Sequence, residues 1–261
     1  NYVSTKMPGG YSSRGGQVIH AVKSGLDPLG SSTGSAVAVA AGIVPMAVGT
    51  DTSHSITACA MGNGICGLKP PAGVLSQEGI IPISKTFDSA GAMAQNVSDT
   101  LKLYSAMRDE PLPEITQTPA GKLRISVNIA NADMNPQERR KYLDGVIETL
   151  RNNGVVISEV NQPPTPELPS IMKREFGTGL EAYLIKSGAK LKTLKQIVEY
   201  YEAHPDTMMK YGCDLLRGAL YDSSQEAYVV EEYQKAMKSR ANEMQRITEE
   251  ISDYDAVLIT G

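Results

Sequence analysis

Cysteine is scarce in this chain of 261 residues: only Cys59, Cys66 and Cys213 occur. The number is odd and the spacings fit neither a zinc site nor a disulfide framework, so all three read as reduced, small, buried hydrophobes. Basic charge is not in excess either, the formal net charge being −4. That excludes the basic footprint of a nucleic-acid binder and the polybasic patch of a membrane-surface protein. The first residues lack a charged segment followed by an apolar one, and no apolar run reaches spanning length. No internal repeat or low-complexity tract is present. The expectation from these absences is a cytoplasmic globular protein with no nucleic-acid and no membrane partner.

The composition is that of a folded protein, with 41% hydrophobic and 21% charged residues. The length allows one α/β domain or two smaller ones. Residues 1–25 are rich in turn chemistry, with only Gln17 to Val22 able to form a short strand. Between Leu26 and Pro70 two Gly/hydroxyl loops flank a run of small residues, Ala36 to Gly42, and a β-like piece, Met46 to Val48. Gly64 to Pro70 reads as a strand stopped by proline. Ser98 is the expected cap of a helix burying Leu101, Tyr104 and Met107. After a proline-rich linker, Pro111 to Pro119, Leu123–Val127 and Val155–Ile157 read as parallel strands. The helix between them is capped by Asn135, with Pro136 first and Glu138 as box partner, and stops at Gly154. The remainder is helical. Thr193 and Gln196 open one short helix, and a long one is expected from near Ser223 with Glu226 as its box partner. Val230, Tyr233, Met237, Ala241, Met244, Ile247 and Ile251 form a stripe along it. Ala256 to Ile259 reads as an interior strand. The fold class is therefore α/β. The expected organisation is a single domain over 1–261, with both serine loops in 1–110, a βαβ unit over 121–160, a helical flank over 163–253 and a final strand over 255–261.

The two loops carry the chemistry. Leu29-Gly30-Ser31-Ser32-Thr33-Gly34-Ser35 leads into the small-residue run, and Gly49-Thr50-Asp51-Thr52-Ser53-His54-Ser55-Ile56 follows the β-like piece. Cys66-Gly67-Leu68-Lys69-Pro70 and Ser89-Ala90-Gly91-Ala92-Met93-Ala94 come next in order. Together these segments resemble the amidase signature family, hydrolases of carboxylic amides that use a Ser-Ser-Lys triad. Tyr11 to Gln17 and the helical tail are similar to its peptide-amidase branch. The resemblance spans nearly the whole chain, and it implies a mixed sheet flanked by helices on both faces. It also implies an amide or peptide substrate and neither metal nor organic cofactor.

By position, the resemblance makes Ser55 the nucleophile and Ser31 the bridging serine, which the family holds on a cis peptide bond. Their separation is the one the family keeps between its two serines. A serine hydroxyl is a weak nucleophile at neutral pH and needs an adjacent base, here a relay through the second serine to a neutral lysine. The backbone amides of Thr52, Ser53, His54 and Ser55 would form the oxyanion hole. The family lysine belongs upstream of Ser31, and no residue of this chain occupies its place. Lys6 and Lys23 read as solvated surface lysines. The chain is thus expected to be an internal fragment, weak or inactive by itself. His54 stands where the family has glycine, which serves where backbone approaches closely or takes positive φ. With no acid partner nearby in sequence, His54 reads as a substitution and not as a base. Asp51 reads as a loop-capping carboxylate, and His20 and His204 as structural or surface residues. One alternative is a catalytically impaired binding protein on the amidase fold, suggested by His54 and the missing lysine. Another is an anion-binding loop over Gly30 to Gly42, which lacks the lysine of a phosphate loop.

Overall fold

The computed structural model describes residues 2–112, 114, 117–128, 136–160 and 168–259. The chain separates into two compact units, Asn1–Leu112 with Ser170–Tyr233, and Pro113–Pro169 with Gln234–Gly261. In chain order the elements begin with β1 (Tyr11–Ser12), β2 (Gly16–Gln17), α1 (Thr33–Ala40), β3 (Met46–Asp51) and α2 (Thr57–Gly62). There follow β4 (Cys66–Leu68), β5 (Ser89–Ala94), α3 (Val97–Ala106), β6 (Arg124–Asn128), α4 (Pro136–Asn152) and β7 (Val156–Val160). The last are α5 (Leu168–Lys186), α6 (Leu194–Ala203), α7 (Pro205–Met208), α8 (Asp214–Ser224), α9 (Glu226–Ile251) and β8 (Ala256–Leu258). The α/β class stands. Among the described residues no helix is long and apolar enough to cross a membrane.

In the first unit β5 lies between β3 and β4 in an antiparallel sheet. Its residues are small apart from Met93, Ser-Ala-Gly-Ala-Met-Ala, and alternate between the two faces. Met93 faces a core of Ala36, Ile56, Cys59 and Ala60, whereas Ala92 faces Leu75 and Tyr104. A separate apolar cluster joins three helices: Phe176 and Leu180 of α5, Leu194 and Val198 of α6, and Leu216 and Ala219 of α8. The α6 start follows from its sequence, with a complete capping box between Thr193 and Gln196. All three cysteines are free thiols, Cys59 and Cys213 being buried and Cys66 half-buried.

In the second unit β7, β6 and β8 form a parallel sheet in that order. Pro136 opens α4 as expected, and Leu143 and Ile147 pack on Val127 of β6. Asn135, the expected cap, lies outside the described residues. Gly154, at φ 85°, takes the left-handed conformation that ends the helix. Asp255 leads β8 into register: its carboxylate accepts from the Arg124 amide at 2.8 Å and its own amide donates to the Arg124 carbonyl at 2.8 Å.

Four local expectations differ. Of the strand expected from Gln17 to Val22 only Gln17 is realised, as the second residue of β2, Gly16–Gln17. The cap of α3 is Asn96 and not Ser98: the Asn96 side chain accepts from the Asp99 amide at 2.9 Å while its own amide group donates to the Asp99 carboxylate. The long helix does not start near Ser223. Ser223 and Ser224 close α8, where their hydroxyls donate to the carbonyls of Leu220 and Tyr221 at 2.7 and 2.6 Å. Those bonds compete with continued helical pairing, and the helix restarts one residue later. On α9 the expected stripe is only half-buried, with Ala241 and Met244 exposed; Val229 and Ala236 are the buried positions.

The segment before β1 is fastened to α8. Asp214 accepts from the Ser4 hydroxyl at 2.5 Å and from the Thr5 hydroxyl at 2.7 Å. The amides of Leu215 and Leu216 donate to the Val3 carbonyl. The hydrogen bonds from Ser4 and Thr5 hold the Asp214 carboxyl down from 3.8 to about 2. A carboxylate with a lowered folded pKa stabilises above its unfolded value and loses that contribution as pH falls through the folded one. The protection factors of the Thr5 and Lys6 amides, the intrinsic exchange rate at each pH divided by the observed one, should therefore fall selectively between about pH 4 and pH 2, and Asp214→Asn should remove the transition.

Gly91, at the centre of β5, admits no side chain. A Cβ there would lie 2.1 Å from the Leu68 carbonyl oxygen and 2.7 Å from Ile56 Cδ1. Gly91→Ala is expected to destabilise the first unit by about 1–3 kcal/mol or more, read as a shift of the urea unfolding midpoint.

Candidate active site

The first serine loop is shaped by side chains bonding to its own backbone. Leu29 takes φ 59°, a left-handed conformation costly for a branched residue. Two contacts hold it: Asp27 Oδ1 accepts from the Leu29 amide at 2.8 Å, and the buried Thr33 hydroxyl donates to the Leu29 carbonyl. The Gly30–Ser31 peptide bond that follows is cis.

Ser32 ties this loop to the second one. Its buried hydroxyl donates to the Thr50 carbonyl at 2.8 Å and accepts from the Thr50 amide at 3.0 Å. Its own amide donates to the Ser55 carbonyl at 3.4 Å. The second loop is closed by Asp51, which is 1% exposed and accepts from the amides of Ile56 at 2.7 Å and Thr57 at 3.4 Å. Asp51 is thus a loop-capping carboxylate, seated under the first turn of α2. Next to Ser55, the Ile56 side chain sits over glycines of all three strands. A Cβ at Gly49, Gly67 or Gly91 would come within 3.0, 3.1 and 2.7 Å of it.

Ser31 and Ser55 line one cleft of about 720 Å³. Thr52 and Ser53 line it too, as do Tyr2, Met7, Tyr11, Ile83 and Met172. Ser31 is exposed and Ser55 half-buried. Among the described residues no hydrogen bond joins the two hydroxyls, and no lysine or histidine lines the cleft. His54 is exposed, lies outside the cleft lining and does not take positive φ. Its side chain points to solvent at no conformational cost, which explains why the position accepts it. The amides of Ser53, His54 and Ser55 donate to no acceptor among the described residues. Lys6 and Lys23 are exposed and do not line the cleft. His20 is buried and structural: its Nδ1 accepts from the amides of Val22 and Lys23, and its Nε2 faces the Gly62 carbonyl at 2.8 Å. His204 is exposed and stacks on Tyr200. Among the described residues no group of His, Cys, Asp and Glu is arranged to hold a metal ion.

The profile of the family described as Amidase matches residues 4–260. The chain belongs to the amidase signature family. It is 28% identical to a probable amidase of Arabidopsis thaliana, over all of this chain and 55% of that protein. The native peptide amidase of Stenotrophomonas maltophilia superimposes with a TM-score of 0.73 at 30% identity, covering 84% of this chain and 49% of that one. An amidase family protein from Bacillus anthracis superimposes with a TM-score of 0.84 at 27% identity, covering 99% of this chain and 55% of that one. The chain spans about half the length of these amidases.

Sequence reasoning singled out Ser31, Ser55 and Asp51 but passed over Ser32 and Ile56, which fix the loops. The only sequence signal for Ile56 was the glycine in each of three strand segments. Asp51→Ala should leave the buried Ile56 amide without an acceptor. A loss of about 1–3 kcal/mol in urea unfolding is expected.

Proposed function

We propose that the protein carrying this chain hydrolyses a carboxylic amide through Ser55. The reading rests on one observation: two stitched hydroxyl loops bring Ser31 and Ser55 to the same cleft. Ser55 Oγ attacks the amide carbonyl and gives its proton to Ser31, which gives one to the lysine that the family places upstream of these loops. The oxyanion of the tetrahedral intermediate is met by the backbone amides of the Thr52–Ser55 turn, of which those of Ser53, His54 and Ser55 have no acceptor among the described residues. Losing one such donor typically costs about 10²–10³ in turnover. The proton returns through Ser31 to the leaving amine, the C–N bond breaks, and water then cleaves the acyl–serine ester. The apolar and aromatic lining from Tyr2, Met7, Tyr11, Ile83 and Met172 suits a small-molecule or peptide amide. A cytoplasmic setting belongs to the same reading.

His54, a departure from the family's glycine beside Ser55, is the observation behind a second reading, an amidase-fold binding protein without turnover. A fluorophosphonate probe and a simple amide substrate distinguish the two in the full-length protein. The hydrolase reading expects covalent labelling at Ser55, amide cleavage, and loss of both in Ser55→Ala. Turnover surviving in Ser55→Ala removes Ser55 as nucleophile, and neither labelling nor turnover in the unaltered protein favours the binding protein.

A further inference from the structure

Behind the cleft, two buried carboxylates not assigned to the chemistry converge on one loop. Asp88 is 5% exposed and stands immediately before β5. Its Oδ1 accepts from the Thr52 hydroxyl at 2.6 Å. Its Oδ2 accepts from the amides of Ile83 at 2.8 Å and Ser84 at 2.9 Å. Thr52 and Ile83 both line the cleft, from opposite sides of the chain's course through β4. One carboxylate therefore sets the orientation of Thr52 at the start of the candidate oxyanion turn and the place of an apolar wall residue.

Glu175 holds the other side of the same loop. It is 5% exposed and lies on α5, the helix that carries Met172 to the cleft. It accepts from the hydroxyl of Ser84, from the amide of Thr86 at 3.0 Å, and from the hydroxyls of Thr86 and Tyr233 at 2.6 and 2.8 Å. Burial alone would push its carboxyl up, but the hydrogen bonds from Ser84, Thr86 and Tyr233 outweigh it and hold the group below its ordinary range. Ser84 is where the two carboxylates meet, its amide on Asp88 and its hydroxyl on Glu175. A fully satisfied buried network of this kind fixes geometry, because each donor has one place to go.

We propose that Asp88 is a positioning residue for the hydrolysis, acting on the oxyanion turn through Thr52 while Glu175 anchors the loop between them. The proposal rests on the reading of Ser55 as nucleophile. Asp88 touches no substrate; its role is to keep the turn from relaxing when charge develops on the carbonyl oxygen. Displacing such a turn by a fraction of an ångström to an ångström can cost up to about 10²-fold in rate.

The test is steady-state kinetics of amide hydrolysis by the full-length protein, with Ser55→Ala as reference. An Asn at position 88 keeps one acceptor oxygen for the two amides and turns a donor towards Thr52, so the charge-assisted bond given by the Thr52 hydroxyl is lost. Asp88→Asn is expected to lower kcat by about 10- to 100-fold with KM nearly unchanged. Thr52→Val should lose a comparable factor and Thr52→Ser should recover most of it. The double variant Thr52→Val/Asp88→Asn should fall little below the worse single one, since both break the same link. Unchanged kcat in Asp88→Asn and Thr52→Val, with Ser55→Ala inactive, overturns the positioning role and leaves the nucleophile standing. So do losses that multiply in the double variant, which indicate separate structural damage. Turnover in Ser55→Ala removes both readings. Should Asp88→Asn fail to fold, the Thr52→Val and Thr52→Ser pair decides alone: equal activity in the two overturns the proposal.

Discussion

The candidate site depends on a steric lock. Ile56 is fully buried, and the surface beneath it is made of glycines from β3, β4 and β5, so no Cβ stands between the side chain and the sheet. Because Ile56 follows Ser55 directly, seating one fixes the backbone of the other. At these glycines the strands meet Ile56 without a side chain, while Asp51 at the end of β3 supplies the carboxylate that closes the loop. Close packing makes the arrangement unforgiving, since a methyl added to the sheet has nowhere to go but into Ile56 or a neighbouring carbonyl. Ser32 completes the lock from the other loop, pairing with both polar groups of Thr50 and with the carbonyl of Ser55.

Legibility in the sequence followed distance along the chain. Ser31 and Ser55 stand in contiguous motifs, and the α6 cap lies within four residues, so both were readable from local patterns. Gly154 and Pro136 were readable for the same reason. The Ser84–Glu175 contact joins residues 91 apart and was invisible to any local pattern. Ser32 looked like one more hydroxyl in a Gly/Ser loop, and only the pairing with Thr50 distinguishes it. Where local signals competed, the sequence misled. Ser98 and Asn96 are both good caps, and Asn96 prevails because its side chain exchanges hydrogen bonds with Asp99 in both directions. Ser223 looked like a start and is an end, because its hydroxyl bonds backwards.

The His54 substitution shows how a departure from a motif can be structurally inexpensive. Glycine at that position would be required only if the backbone were left-handed or pressed against a neighbour. Neither holds, and the imidazole extends outwards while its carbonyl accepts from the Ala58 amide at 2.8 Å at the start of α2. The turn keeps its shape because Asp51 and Ile56 hold it from inside, whatever residue 54 carries on the outside.

A wall bolted to the sheet at three points cannot also be the wall that adapts. The backbone around Ser55 is immobilised by Ile56, so variation in the cleft's shape falls to its other lining residues. Tyr2 and Met7 come from the segment tied to α8 through Asp214, where Tyr2 also packs on Phe176, and Tyr11 follows from the hairpin. Relatives that keep the glycine hollow and change those residues would keep the loop geometry and alter the shape of the cleft.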